Sequence, residues 1–207
     1  MLFGSRILAL AAILAICLGI PATSSALSLA DLVVPGASFD AGNGTTFSEF
    51  AVRIKGRGLS RTLSDYLIVP TADGFELGGE FNNDPKGGKI KLTYRVTGLD
   101  LSGAAIEMPV NSGLEGYVSI KETVLGPGKN RRLIISTKRG LTSDEVMFEA
   151  LSTFAMRSKI RIRGDYFQNG SNAVIDNSVT AVPEPTTALM LAAGLGGLAA
   201  AGRKRSR

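Results

Sequence analysis

The chain has 207 residues, 23 Lys and Arg against 18 Asp and Glu, and a formal net charge of +5, a balance that invites a nucleic-acid reading. The excess lies at the ends, in Arg6 and in Arg203, Lys204, Arg205 and Arg207, while Leu27 to Val182 holds 18 basic and 17 acidic residues, so the body is nearly neutral and no nucleic-acid partner is expected. There is no His or Trp and a single Cys, Cys17, which excludes His general-base catalysis and zinc sites built from His or Cys.

The N-terminus carries Arg6, then an uncharged, mostly aliphatic stretch from Ile7 to Ile20, then Pro21-Ala22-Thr23-Ser24-Ser25-Ala26. A basic start, a short apolar stretch and small residues at Ser24 and Ala26 are the three parts of a secretory signal peptide, with cleavage expected after Ala26. As a helix the stretch spans about 21 Å, short of a hydrocarbon core of about 30 Å. Cys17 follows Ile16 where a lipoprotein box needs a small residue, and it reads as an apolar position of the leader.

Residues 27–181 read as one domain of short β-strands. Thr45 to Lys55 places Phe50, Val52 and Ile54 on one face, and Lys89 to Thr97 alternates Ile90, Leu92, Tyr94 and Val96 with charged residues or Thr. That is the period of a half-buried strand. Tyr117 to Val124, Arg132 to Thr137, Lys159 to Arg163 and Ala173 to Thr180 behave alike. Turn clusters separate them, among them Gly42-Asn43-Gly44, Asp73-Gly74, Asn82 to Gly88, Gly126-Pro127-Gly128 and Asn169-Gly170-Ser171. The expected class is all-β, a β-sandwich or jelly roll. Thr142 to Ala155 admits two readings. Thr142 as N-cap, with Glu145 three residues on, opens a helix with Val146, Met147, Ala150, Leu151 and Phe154 on one face. Val146-Met147-Phe148 and Ser152-Thr153-Phe154 suit a pair of strands equally.

No catalytic residue is singled out. The carboxylates Asp31, Asp40, Glu49, Asp65, Glu76, Glu80, Glu107, Glu115, Glu122, Asp165 and Asp176 could include a glycosidase pair, but spatial separation decides that chemistry and no local signature accompanies them. Asp84, in Asn82-Asn83-Asp84, and Asp176, in Asp176-Asn177, are weak calcium candidates; turn chemistry and a strand-end cap explain them better, and no metal or cofactor is expected. Gly126-Pro127-Gly128-Lys129-Asn130 lacks the spacing of a phosphate loop. Arg163-Gly164-Asp165 reads as a turn after a strand. Arg157, Lys159, Arg161 and Arg163 alternate onto one strand face; such a stripe could attract an anionic polysaccharide, but with few aromatic platforms for sugar stacking a solvated outer face is the expected reading.

Residues 182–207 form a second three-part segment: Val182-Pro183-Glu184-Pro185, an uncharged run from Thr186 to Gly202, and the basic cluster Arg203, Lys204, Arg205 and Arg207. The prolines keep the peptide extended, the run suits a short transmembrane helix, and the cluster stops translocation on the cytoplasmic side. Motif, helix and basic end in this order resemble the PEP-CTERM sorting signal of Gram-negative bacteria.

That resemblance implies recognition by an exosortase, a membrane-embedded cysteine transpeptidase, and cleavage near Pro183-Glu184-Pro185. It also implies a transient membrane anchor, delivery to the cell surface or extracellular matrix, and a bacterium that makes exopolysaccharide, which is then a candidate partner. Leu29 to Phe50 is similar to the start of a group of uncharacterised PEP-CTERM domains, and Val174 to Val182 to the strand leading into their sorting motif. By that analogy Thr142 to Ala155 is expected to be strand, and the domain a non-enzymatic structural or polysaccharide-associated sandwich. A secreted carboxylate-dependent glycoside hydrolase or lyase is the alternative.

Overall fold

The structure, a computed structural model, describes residues 25–79, 87–108, 116–126, 130–164 and 175–181. The expected leader up to Ser24, the sorting segment 182–207 and the turns holding Asp84, Gly128 and Asn169 lie outside them. Among the described residues the strands are β1 (Leu27–Ser28), β2 (Ser38–Asp40), β3 (Thr46–Gly56), β4 (Tyr66–Pro70), β5 (Gly74–Gly79), β6 (Gly88–Glu107), β7 (Gly116–Leu125), β8 (Arg131–Ser136), β9 (Ser143–Gly164) and β10 (Ile175–Ala181). One helical turn, α1 (Leu29–Leu32), follows β1, and Ser28 caps it by accepting the Asp31 N–H at 3.2 Å.

The all-β expectation holds, with a difference in build. Two long strands replace a succession of short ones: β6 has 20 residues and β9 has 22. They pair antiparallel twice, Gly88–Thr97 against Thr153–Ile162 and Leu101–Glu107 against Ser143–Leu151, with register shifts between. The first half of β6 also carries β3, and the matching half of β9 carries β7 and then β8. The second half of β6 carries β10, then β5, β4 and β1. One continuous antiparallel sheet therefore bends across the middle of its longest pair and folds over itself as a sandwich. Asp100 sits at the bend with φ of 47°, a left-handed conformation that Asp tolerates better than most residues.

Alternation decides what the fold encloses. Ile90, Leu92, Tyr94 and Val96 of β6 are all buried, as are Val118, Ile120 and Val124 of β7 and Leu133 and Ile135 of β8. Thr142 to Ala155 is not helical: from Ser143 it runs within β9, leaving Met147 exposed while Phe154 is buried. Pairing with β6 supplies its backbone hydrogen bonds, and the helical spacing of its apolar residues is overridden.

A β-bulge sets the core's centre. In β3 the register steps from Ser48 opposite Arg95 to Ala51 opposite Thr93, and Glu49 has φ of 53°. The extra residue shifts the phase, so that Phe47 and Phe50, three apart, both point inward and are buried. Glu49 stays outside, its Oε2 paired with Arg95 Nε at 2.9 Å. Phe75 arrives from β5, in the opposing half of the sandwich, edge-on to Phe47 at 5.3 Å and 85° and to Tyr94 at 5.3 Å and 77°. Gly74 lets β5 lie beside β10, since a Cβ there would collide with the Asn177 carbonyl oxygen.

Candidate functional site

The outer face of β3, β6, β9, β7 and β8 gathers charge from segments far apart in sequence. Cross-strand register puts Arg53, Lys91, Lys159 and Lys121 side by side. The adjacent row on one side is Lys55, Lys89 and Arg161, and on the other Thr93, Arg157, Thr123 and Arg132. Arg163, opposite Tyr117, extends the face at its end. No acid stands in these rows, and among the described residues no carboxylate pairs with any of these cations. Lys89 feels the crowding: desolvation first, then the charges of Lys159, Lys91 and Arg161, lower its pKa from the ordinary lysine value. Between Lys91, Lys121, Lys159, Arg132 and Arg157 the face dips into a shallow concavity of about 340 Å³. The expected stripe Arg157 to Arg163 is thus the central column of a basic sheet face.

The opposite charge collects at the other end of the long strand pair. Glu76, Asp176 and Glu107 are consecutive cross-strand neighbours on β5, β10 and β6. Beside them a cleft of about 430 Å³ is lined by Glu107, Asp144, Glu145 and Asp176, with Ser143 and Ser178 between. Burial, then the charges of Asp73, Glu76 and Glu107, raise the Asp176 pKa above the usual carboxylate value, and its Oδ1 has no hydrogen-bond partner among the described residues. Asp144 is engaged structurally, its Oδ2 accepting the Ile134 N–H of β8 at 2.6 Å. Asp176 and Asn177 stand within β10 instead of capping its end, and the Asn177 amide donates to the Ile175 carbonyl at 3.3 Å. Among the described residues no group of three or more Asp, Glu, Cys or His is arranged to hold a metal ion.

Glu122 differs from the other carboxylates. It follows Val118 and Ile120 on the inward face of β7 and is 1% exposed. Its neighbours include Tyr94 and Ser158, yet neither Glu122 Oε2 nor Ser158 Oγ makes a hydrogen bond of good geometry. Burial pushes the Glu122 pKa up to about 7, opposed in part by the nearby Ser158 hydroxyl. Enclosed in the core, it is out of a polymer substrate's reach. The alternation Val118, Ile120, Glu122, Val124 places it in the buried phase of β7, a local signal legible in the sequence.

Ala26 is exposed directly before β1, while Ser24 lies outside the described residues. The last described residue of β10 is Ala181, and the segment beginning at Val182 follows without a gap in sequence. Residues 181–206 match the PEP-CTERM protein-sorting motif. The chain carries a PEP-CTERM sorting signal. A PEP-CTERM signal marks a protein for export and C-terminal sorting to the cell surface. No curated protein matches the chain. Among solved structures, one described as TmCBM61 in complex with β-1,4-galactotriose is similar at 12% identity, covering 70% of this chain and 99% of that one, with a TM-score of 0.34. A score that low does not speak for a shared ligand. Among the described residues no helix is long and apolar enough to cross a membrane.

Proposed function

We propose that this PEP-CTERM protein is an exosortase substrate whose sandwich works, without catalysis, as a structural and polysaccharide-associated module of the cell surface or matrix. The observation that carries the reading is the sorting motif, matched over residues 181–206. In this reading a leader ending at Ala26 is removed on export, the Thr186 to Gly202 run holds the chain in the inner membrane, and Arg203, Lys204, Arg205 and Arg207 stay cytoplasmic. Cleavage near Val182-Pro183-Glu184-Pro185 comes after Ala181, the last residue of β10, so the described strands all stay in the released body. Mass spectrometry of the surface-delivered protein is expected to find a C-terminus near Pro183 to Pro185 and an N-terminus at Leu27. A mature form that keeps Arg203 to Arg207 would remove the exosortase claim.

The acidic cleft supports a second reading, a carboxylate-dependent glycoside hydrolase or lyase, because it gathers Asp176, Glu107, Asp144 and Glu145 around one cavity, with the Asp176 carboxyl raised above the usual range by burial and neighbouring charge. A screen of the full chain against polysaccharides decides. Turnover abolished by Asp176→Asn favours the enzyme, and retention of polymer without turnover favours the binding module.

A further inference from the structure

Like charges directly opposite one another in a sheet are destabilising, and the rows through Lys91 and Lys89 set cation against cation across four and three strands respectively, with no acid to offset them. A domain whose charges nearly cancel overall has them sorted instead, cations on one face and the Glu76, Asp176 and Glu107 row at the far end of the same strands. Such sorting focuses attraction for a polyanion onto one surface and repels it from the other.

We propose that the outer face of β3, β6, β9, β7 and β8 is the binding site for an extended, anionic polysaccharide, a polymer of carboxylated or sulfated sugars laid across the strands over Lys91, Lys159 and Lys121. The proposal rests on the polysaccharide-associated reading above and specifies the ligand's charge and its site.

Three features select this occupant. Neighbouring strands about 4.8 Å apart, and same-face residues about 6.7 Å apart along each strand, make a regular lattice of cations, suited to a ribbon-like polymer carrying a charge on each sugar. Neutral sugars are recognised by stacking on aromatic side chains, and the described part of this face offers Tyr117 at its margin and no other ring. Single-stranded nucleic acid needs the same platforms, and duplex DNA is read by elements that enter its grooves, which a sheet face without a protruding helix or ribbon does not supply. Export to the cell surface also sets the domain among envelope and matrix polymers.

The test uses the full chain in mild detergent, with immobilised polygalacturonate, its methyl-esterified and therefore uncharged form, and single- and double-stranded DNA at matched charge. Polygalacturonate is expected to bind and to be released as salt rises, while the esterified polymer is not retained. The triple variant Lys91→Gln, Lys121→Gln, Lys159→Gln is expected to bind at least about tenfold more weakly and to melt no lower than the parent, since repulsion is removed. Lys138→Gln with Arg139→Gln, on the turn after β8, is the control and is expected to bind as the parent does. Undiminished binding by the triple variant overturns the site. DNA held as tightly as polygalacturonate overturns the glycan. Retention of the esterified polymer alone overturns the charge-based inference and leaves the polysaccharide-associated reading standing; retention of neither polymer removes both.

Discussion

Phe75→Ala is expected to cost about 3–5 kcal/mol, the range for truncating a buried Phe, and in a domain with a native stability of about 5–15 kcal/mol that brings the sandwich close to unfolding. The size follows from position. Phe75 is fully buried, and from β5 it meets Phe39 at 5.9 Å, Phe47 at 5.3 Å, Phe50 at 6.2 Å and Tyr94 at 5.3 Å, all four contacts edge-on. Its partners belong to β2, β3 and β6, on the other side of the fold, so one side chain fills the space between the two halves of a single bent sheet. Edge-to-face pairs add about 0.5–1.5 kcal/mol each beyond area burial, and Ala forfeits all of them. With no Trp in the chain, urea unfolding is best followed by far-ultraviolet circular dichroism. Phe75→Leu keeps much of the apolar contact and is expected to recover roughly half of the loss. A cost below about 1 kcal/mol for Phe75→Ala would mean that the halves are held together elsewhere.

The segment that carries this residue was not legible as a strand, and the reason is physical. Gly74-Phe75-Glu76-Leu77-Gly78-Gly79 is half glycine, a composition that reads as a turn because glycine is depleted in strands. Gly74 is required there for a tertiary reason, the close approach of the Asn177 carbonyl, which no local pattern announces. Lys89 to Thr97 was legible because its alternation is unbroken, whereas the second half of β6 was not, being built of Gly103, Ala104 and Ala105 beyond the bend at Asp100. Phe47 falls out of phase with Phe50 on paper, and only the bulge at Glu49 unites them.

The sites divide in the same way. The sorting segment is linear, so motif, run and basic end can be read directly from the sequence. The basic face is not, since its cations come from five strands spread between Arg53 and Arg163, and only the column Arg157 to Arg163 is visible as a local pattern. Composition counted these cations against acids that lie elsewhere on the molecule, and near-neutrality concealed a strongly polarised surface.

Glu122 is expected to make the stability of the sandwich fall as pH rises through neutrality. Its carboxyl is pushed from an ordinary value of 4.5 to about 7 by burial, so between those values the folded state holds a proton that the unfolded chain releases. Because the folded form binds more protons, stability decreases with pH in this window. The contribution of the protonated group is complete below about pH 4.5 and is lost as pH passes about 7, where a carboxylate without a full set of partners must be carried inside the core. The shift corresponds to roughly 3 kcal/mol. Glu122→Gln removes the titration while keeping the shape, so it is expected to match the parent near pH 4 and to exceed it by roughly that amount at pH 8. Taking the difference between parent and variant cancels the surface carboxylates, including Asp176, which titrate in both. Glu145→Gln, on an exposed position of β9, is the control for loss of a negative charge. A difference between the parent and Glu122→Gln that stays constant from pH 4 to 8 would mean that the carboxylate reaches solvent or a cation in the folded protein, and the core described around Tyr94 and Ser158 would then have to open to water.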